Sequence, residues 1–171
     1  MLILSHIKKR NFKMKAITDL QDIIKNKQKL YIIVEYENIT SNLEKLYFSE
    51  AREVRLFRIF QNFANAQNIN IYVHFNGKTS KREINQFSKR LKNIEFLNDK
   101  KSIIEVCDNM EEKSTALYIG NDKNILKLDK IKEGYTIYLT NEENGKNKLI
   151  DFNLTAEEFN NIILETNNLY L

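Results

Sequence analysis

The feature that most constrains this chain is a set of short apolar runs separated by longer amphipathic segments. Leu30-Tyr31-Ile32-Ile33-Val34 is continuous, β-branched-rich and bounded by polar residues, the pattern of a strand buried on both faces. Ile69, Ile71, Tyr72 and Val73 predict a second strand and Ile94-Glu95-Phe96-Leu97 a third. Ala116-Leu117-Tyr118-Ile119 predicts a fourth, and Tyr135-Thr136-Ile137-Tyr138-Leu139 a fifth. Between them the apolar spacing turns helical. Leu20, Ile23 and Ile24 mark a helix over about 17 to 27. Val54, Leu56, Phe57, Ile59 and Phe63 mark a long one over about 50 to 67. Thr79 or Ser80 caps a helix running to about Leu91, Glu83 standing three residues after Ser80 as in a capping box, and Ser102 to Met110 reads as the next. A short helix follows Gly120, and Thr155-Ala156-Glu157-Glu158 opens a last one. Strands alternating with helices in this way predict an α/β domain with a mainly parallel sheet covered on both faces.

Composition narrows the class further. The chain has 171 residues, 42% hydrophobic and 29% charged, which suits one globular domain with a true core and is too apolar for disorder. With no proline and four glycines there is no linker or low-complexity tract. The division expected is an N-terminal segment over 1–16 and a single domain over 17–171. No apolar run approaches the roughly 20 residues of a membrane span, and Met1-Leu2-Ile3-Leu4 is too short for a secretory core. The single cysteine, Cys107, excludes an intramolecular disulfide and fits a buried thiol in a cytoplasmic protein. Lys and Arg exceed Asp and Glu by 27 to 23, but the basic residues are scattered rather than gathered in a stripe, so nucleic acid is not the expected partner.

In a parallel sheet the ligand site lies beyond the carboxyl ends of the strands. Here those ends read Glu35-Tyr36-Glu37-Asn38, His74-Phe75-Asn76-Gly77-Lys78, Asp99-Lys100-Lys101 and Gly120-Asn121-Asp122. Each segment alone fits a solvated turn or a helix cap: Glu35 and Glu37 at the mouth of a sheet, Asn121-Asp122 as a cap, Lys101 as a surface lysine. Four in succession point to a site.

In order and spacing these segments resemble the four motifs of the haloacid dehalogenase (HAD) superfamily. The nearest resemblance is to the cap-less phosphatases of 3-deoxy-D-manno-octulosonate 8-phosphate and to the phosphatase-like domain of acylneuraminate cytidylyltransferases. Leu117-Tyr118-Ile119-Gly120-Asn121-Asp122 and Gly77-Lys78-Thr79-Ser80 carry it most clearly. The resemblance implies a Rossmannoid HAD-like three-layer α/β/α domain. It puts Glu35 and Glu37 in the catalytic positions of an Asp-x-Asp pair, whose first acid attacks phosphorus and whose second protonates the leaving oxygen. It assigns phosphate binding to Asn76, Gly77 and Lys101, with Lys100 as the alternative register. Magnesium would fall to Glu35, Glu37, Asn121 and Asp122. A phosphorylated sugar and a homotetramer, built through a flap after the first motif at about Thr40 to Phe48, are its implied partners.

The departures from the family pattern are chemical. Glutamate for aspartate displaces a carboxylate by a methylene, and in-line attack tolerates such displacement poorly. Asn121 replaces a magnesium carboxylate with a neutral amide, and Ile125 stands where a further acid is expected. The reading is therefore a divergent HAD-like protein with eroded catalytic motifs, weak or absent magnesium binding and little phosphatase activity. An active magnesium-dependent phosphatase of the same family is the alternative. A third reading comes from Val34-Glu35-Tyr36-Glu37-Asn38, which resembles the first strand of PIN-like and NYN nucleases, where clustered acids hold the metal that cleaves RNA.

Overall fold

The structure is a computed structural model and describes residues 22, 29–39, 41, 69–75, 81–82, 85, 89, 94–155, 157–159 and 161. Six strands form one sheet: β1 (Leu30–Glu35), β2 (Ile69–His74), β3 (Ile94–Leu97), β4 (Thr115–Ile119), β5 (Tyr135–Leu139) and β6 (Phe152–Leu154). Every pairing is parallel and the spatial order is β3-β2-β1-β4-β5-β6. The chain builds outward from β1 to β3, then returns to the far side of β1 to lay down β4, β5 and β6. This is a Rossmann-like α/β arrangement, with its switch point between β1 and β4.

Three helices follow strands: α1 (Lys100–Asp108), α2 (Lys123–Leu126) and α3 (Asp129–Glu133). Residues 36–39 are also helical, so the chain turns from strand to helix directly after Glu35. The two helices expected over 17 to 27 and 50 to 67 lie outside the described residues, apart from Asp22, which is helical. Of the helix expected to end near Leu91, Lys81, Arg82, Asn85 and Lys89 are described and helical. None of the described helices is long and apolar enough to cross a membrane.

Side chains alternate across the strands, so each face of the sheet collects every second residue. One face carries Leu30, Ile32 and Val34 of β1 with Ile71 and Val73 of β2, and packs against Ile39 and Phe159 from helical segments. The other carries Tyr31 and Ile33 and packs against Ile103 and Cys107 of α1, Ile125 of α2 and Ile131 of α3. Both faces are buried, which is why the β1 sequence is apolar throughout instead of alternating. Burial also pushes the Cys107 thiol up to about 11, so it is an inert core thiol.

Local signals set the element ends. Asp99 caps α1, its Oδ1 accepting from the Ser102 amide at 2.7 Å and the Ser102 hydroxyl at 2.8 Å. The last helix opens with a reciprocal capping box. The Glu158 amide donates to Thr155 Oγ1 at 3.1 Å, and the Thr155 amide donates to Glu158 Oε1 at 3.2 Å. Gly134, between α3 and β5, passes so close to β4 that a Cβ there would lie 2.2 Å from the Ala116 carbonyl oxygen. Backbone cannot yield as a side-chain tip can. Gly134→Ala is therefore expected to destabilise the fold by about 1–3 kcal/mol, the usual cost of overpacking. Urea denaturation of the two proteins checks this, and an unchanged midpoint would refute it.

Candidate functional site

Parallel pairing brings the carboxyl ends of the strands to one edge, and the register decides which residues meet there. Glu35 pairs with His74 across β1 and β2. Val34 pairs with Ile119 across β1 and β4, so Gly120 comes level with Glu35. Counting by twos, Tyr31, Ile33 and Glu35 share a face with Tyr72 and His74 and with Ala116, Tyr118 and Gly120. The apolar face that α1, α2 and α3 cover therefore ends, at this edge, in Glu35, His74 and the Tyr118 hydroxyl.

These three groups form one hydrogen-bonded unit. The Tyr118 hydroxyl donates to Glu35 Oε1 at 2.8 Å, and His74 Nδ1 lies 2.6 Å from Glu35 Oε2, where the carboxylate accepts its proton. The Tyr118 oxygen in turn accepts from the Asp122 amide at 3.3 Å. Tyr118 is fully buried and His74 is 3% exposed. Gly120 makes the unit sterically feasible, since a Cβ on it would lie 2.4 Å from Glu35 Cγ and 2.8 Å from the Tyr118 oxygen. The missing side chain is the lane through which Tyr118 reaches Glu35.

Charge follows the same geometry. Burial, the largest single influence on His74, acts to lower its pKa. The hydrogen bond to Glu35 and the charges of Glu35, Glu37 and Asp122 together outweigh it, and the imidazole is held above its usual value. Burial, the Glu35 charge and the Glu35 hydrogen bond push the Tyr118 hydroxyl far up, so it remains a donor throughout the physiological range.

Asp122 caps α2, with Oδ1 accepting from the amides of Asn124 at 2.9 Å and Ile125 at 3.4 Å. Its other oxygen, Oδ2, meets Lys100 Nζ at 2.8 Å. Partial burial acts to raise the Asp122 carboxyl, but Lys100 and the two amides prevail and hold it below the usual range. The Asp122 hydrogen bond and charge, with a smaller contribution from Glu35, raise the Lys100 ammonium.

Glu35, His74, Lys100 and Asp122 line an open cleft of about 300 Å³, walled also by Glu37, Asn38, Ser41, Asn121 and Tyr138. Asn38 holds the helical segment against β5. β4 ends at Ile119 while β5 continues to Leu139, and the Asn38 carboxamide takes the place of the missing strand. It donates to the Leu139 carbonyl at 3.0 Å and accepts from the Leu139 amide at 3.2 Å.

The structure thus brings Glu35, Glu37, Asn121 and Asp122 to a single cleft. Asn76 and Gly77 lie outside the described residues. Lys101 is exposed and is not a wall of the cleft; the neighbouring Lys100 is. Asn38 also lines the cleft, as does His74, and Tyr118 is hydrogen-bonded to Glu35; the sequence assigns no role to either of the last two. Their only signal was position at the carboxyl ends of β2 and β4, on the face that Glu35 shares.

The fit of a magnesium ion depends on free carboxylate oxygens. Both oxygens of Glu35 are engaged, one oxygen of Asp122 is a helix cap and the other holds Lys100. Among the described residues no three His, Cys, Asp or Glu side chains converge as a metal-binding set. As arranged, these residues do not fit the ion. No family model, no curated protein and no solved structure matches this chain at a significant level.

Tyr118→Phe keeps the buried ring but leaves Glu35 Oε1 without a donor in a poorly hydrated place. It is expected to cost about 1–3 kcal/mol of stability, the range for a stranded buried acceptor. Chemical denaturation measures this, and an unchanged stability would show that the hydroxyl contributes nothing to holding Glu35.

Proposed function

We propose that this chain is a divergent HAD-like protein whose cleft binds a phosphate-bearing ligand, a sugar phosphate on the family resemblance, with little capacity to hydrolyse it. One observation carries the reading: the carboxylate in the nucleophile's position, Glu35, has both oxygens committed, to Tyr118 and to buried His74. Attack on phosphorus needs a free oxygen aimed in line, and freeing one here means breaking a hydrogen bond to a buried donor, at about 1–3 kcal/mol. The added methylene of Glu35 compounds the loss of alignment. Glu37 and Asn121 line the same cleft.

A second reading, a metal-dependent nuclease of the PIN/NYN kind, is supported by a different observation. The chain enters a helix at Tyr36, directly after Glu35, and residues 36–39 and 41 are helical. That brings Glu35, Asn38 and Asp122 around one acidic cleft. The carboxylates' prior commitments weigh against efficient metal catalysis in this reading as well.

One assay separates the alternatives. Purified protein with millimolar magnesium or manganese is given a panel of sugar phosphates and a labelled single-stranded RNA. The expected outcome is turnover of phosphomonoesters far below the 1–10³ s⁻¹ common among enzymes, with RNA left intact. Hydrolysis of a sugar phosphate within that range would refute the erosion of the site, and metal-dependent RNA cleavage would favour the nuclease.

A further inference from the structure

The misfit between the acidic cleft and a magnesium ion has a structural cause in Lys100. We propose that the Lys100 ammonium is a tethered replacement for a divalent cation, seated on Asp122 at the mouth of the cleft and excluding metal from it. This rests on the geometry of the cleft and not on the hydrolytic reading.

Asp122 divides its two oxygens between two tasks. Oδ1 is fixed by the amides of Asn124 and Ile125, which set the carboxylate's orientation. Oδ2 then faces the cleft, and the group it meets is the Lys100 ammonium at 2.8 Å. Asn121 lines the same space, so a small cation on Oδ2 would meet an amide oxygen there and, the cleft being open, water. A cation is thus already accommodated at this position. It is covalently attached to the protein.

The attachment is firm at one end and loose at the other. Lys100 is the first residue of α1, and the Asp99 cap holds that helix start through its bonds to Ser102. The Lys100 side chain is 55% exposed while Asp122 is 19% exposed, so the ammonium, not the carboxylate, is the movable partner. A tethered charge competes at an effective concentration that a free ion at millimolar levels has to match. The ammonium also cannot share its position with a metal ion, because like charges at such range repel strongly. Lys101, one residue on, does not line the cleft, so among the described residues Lys100 is the lysine at this position.

The test uses manganese as the probe, counted as free Mn²⁺ by room-temperature electron paramagnetic resonance, on the whole chain. The native protein is expected to bind Mn²⁺ weakly, at millimolar concentrations or not at all. Lys100→Met and Lys100→Gln, which keep the side chain's length or polarity without its charge, are expected to bind at least tenfold more tightly. Lys100→Arg is expected to bind no better than native. Asp122→Asn added to Lys100→Met is expected to abolish the gain, while Lys113→Met, before β4 and at the opposite edge of the sheet, is expected to change nothing. Circular dichroism confirms folding, and two neutral variants guard against one failing to fold. Micromolar Mn²⁺ binding by the native protein would overturn the proposal. So would neutral variants that bind no more tightly than native, or a gain that survives Asp122→Asn. Failure of the phosphatase expectation would leave these binding results unaffected, so the two readings can fail separately.

Discussion

A carboxylate at the inner end of a buried strand has to be answered by hydrogen bonds, and the way Glu35 is answered organises everything around it. Tyr118 and His74 each supply a donor from the strands flanking β1. Their supply depends on register: Glu35 level with His74, Gly120 level with Glu35, and no Cβ on Gly120 to block the tyrosine. The same tyrosine accepts from the Asp122 amide, so the chain's exit from β4 is tied to the end of β1. A one-residue slip of β4 against β1 would turn Tyr118 to the other face and leave Glu35 without a donor on that side. Core packing and the polar edge therefore specify the same register.

From this lock the character of the cleft follows. Three carboxylates, Glu35, Glu37 and Asp122, face it, a concentration of charge that a metalloenzyme would offset with a divalent ion. Here the charge is met from within, by a histidine held towards its protonated form and by a lysine on Asp122. Protonated His74 is stabilised by the fold, so its contribution to stability is full below the ordinary imidazole pKa of about 6.5. That contribution is lost as pH rises through the raised value of the folded protein. Asp122 has the opposite sign: its contribution is present above the ordinary carboxylate range and is lost as pH falls through the lowered value.

How much of this is legible in the sequence depends on the kind of signal. Strands β1 to β5 are legible because a buried parallel strand is a short apolar run with polar ends, and β3 and β5 match their expected limits. β6 is not. Phe152-Asn153-Leu154 is three residues long, too short for periodicity to separate from a loop, and it is made a strand by pairing with β5. The meeting of Glu35 with Asp122 is legible from the rule that parallel strands share a carboxyl edge. The choice of Lys100 over Lys101 is not, because it turns on where helix α1 begins, and Asp99 rather than Ser102 is the cap. His74 and Tyr118 look like ordinary strand residues, since alternation gives the face of a side chain and not the partner beyond the strand's end.

The claim that Glu35 is a committed structural carboxylate is tested most directly by titrating His74. The chain has two histidines, His6 and His74, so the imidazole signals can be followed by heteronuclear magnetic resonance in native protein and in Glu35→Gln. The account predicts one imidazole with a pKa above about 6.5 in the native protein. In the variant the same signal should shift to a distinctly lower value, because burial then acts with less opposition from charge. If both imidazole signals titrate identically in the two proteins, Glu35 does not hold His74, and the claim that it is a committed structural carboxylate fails.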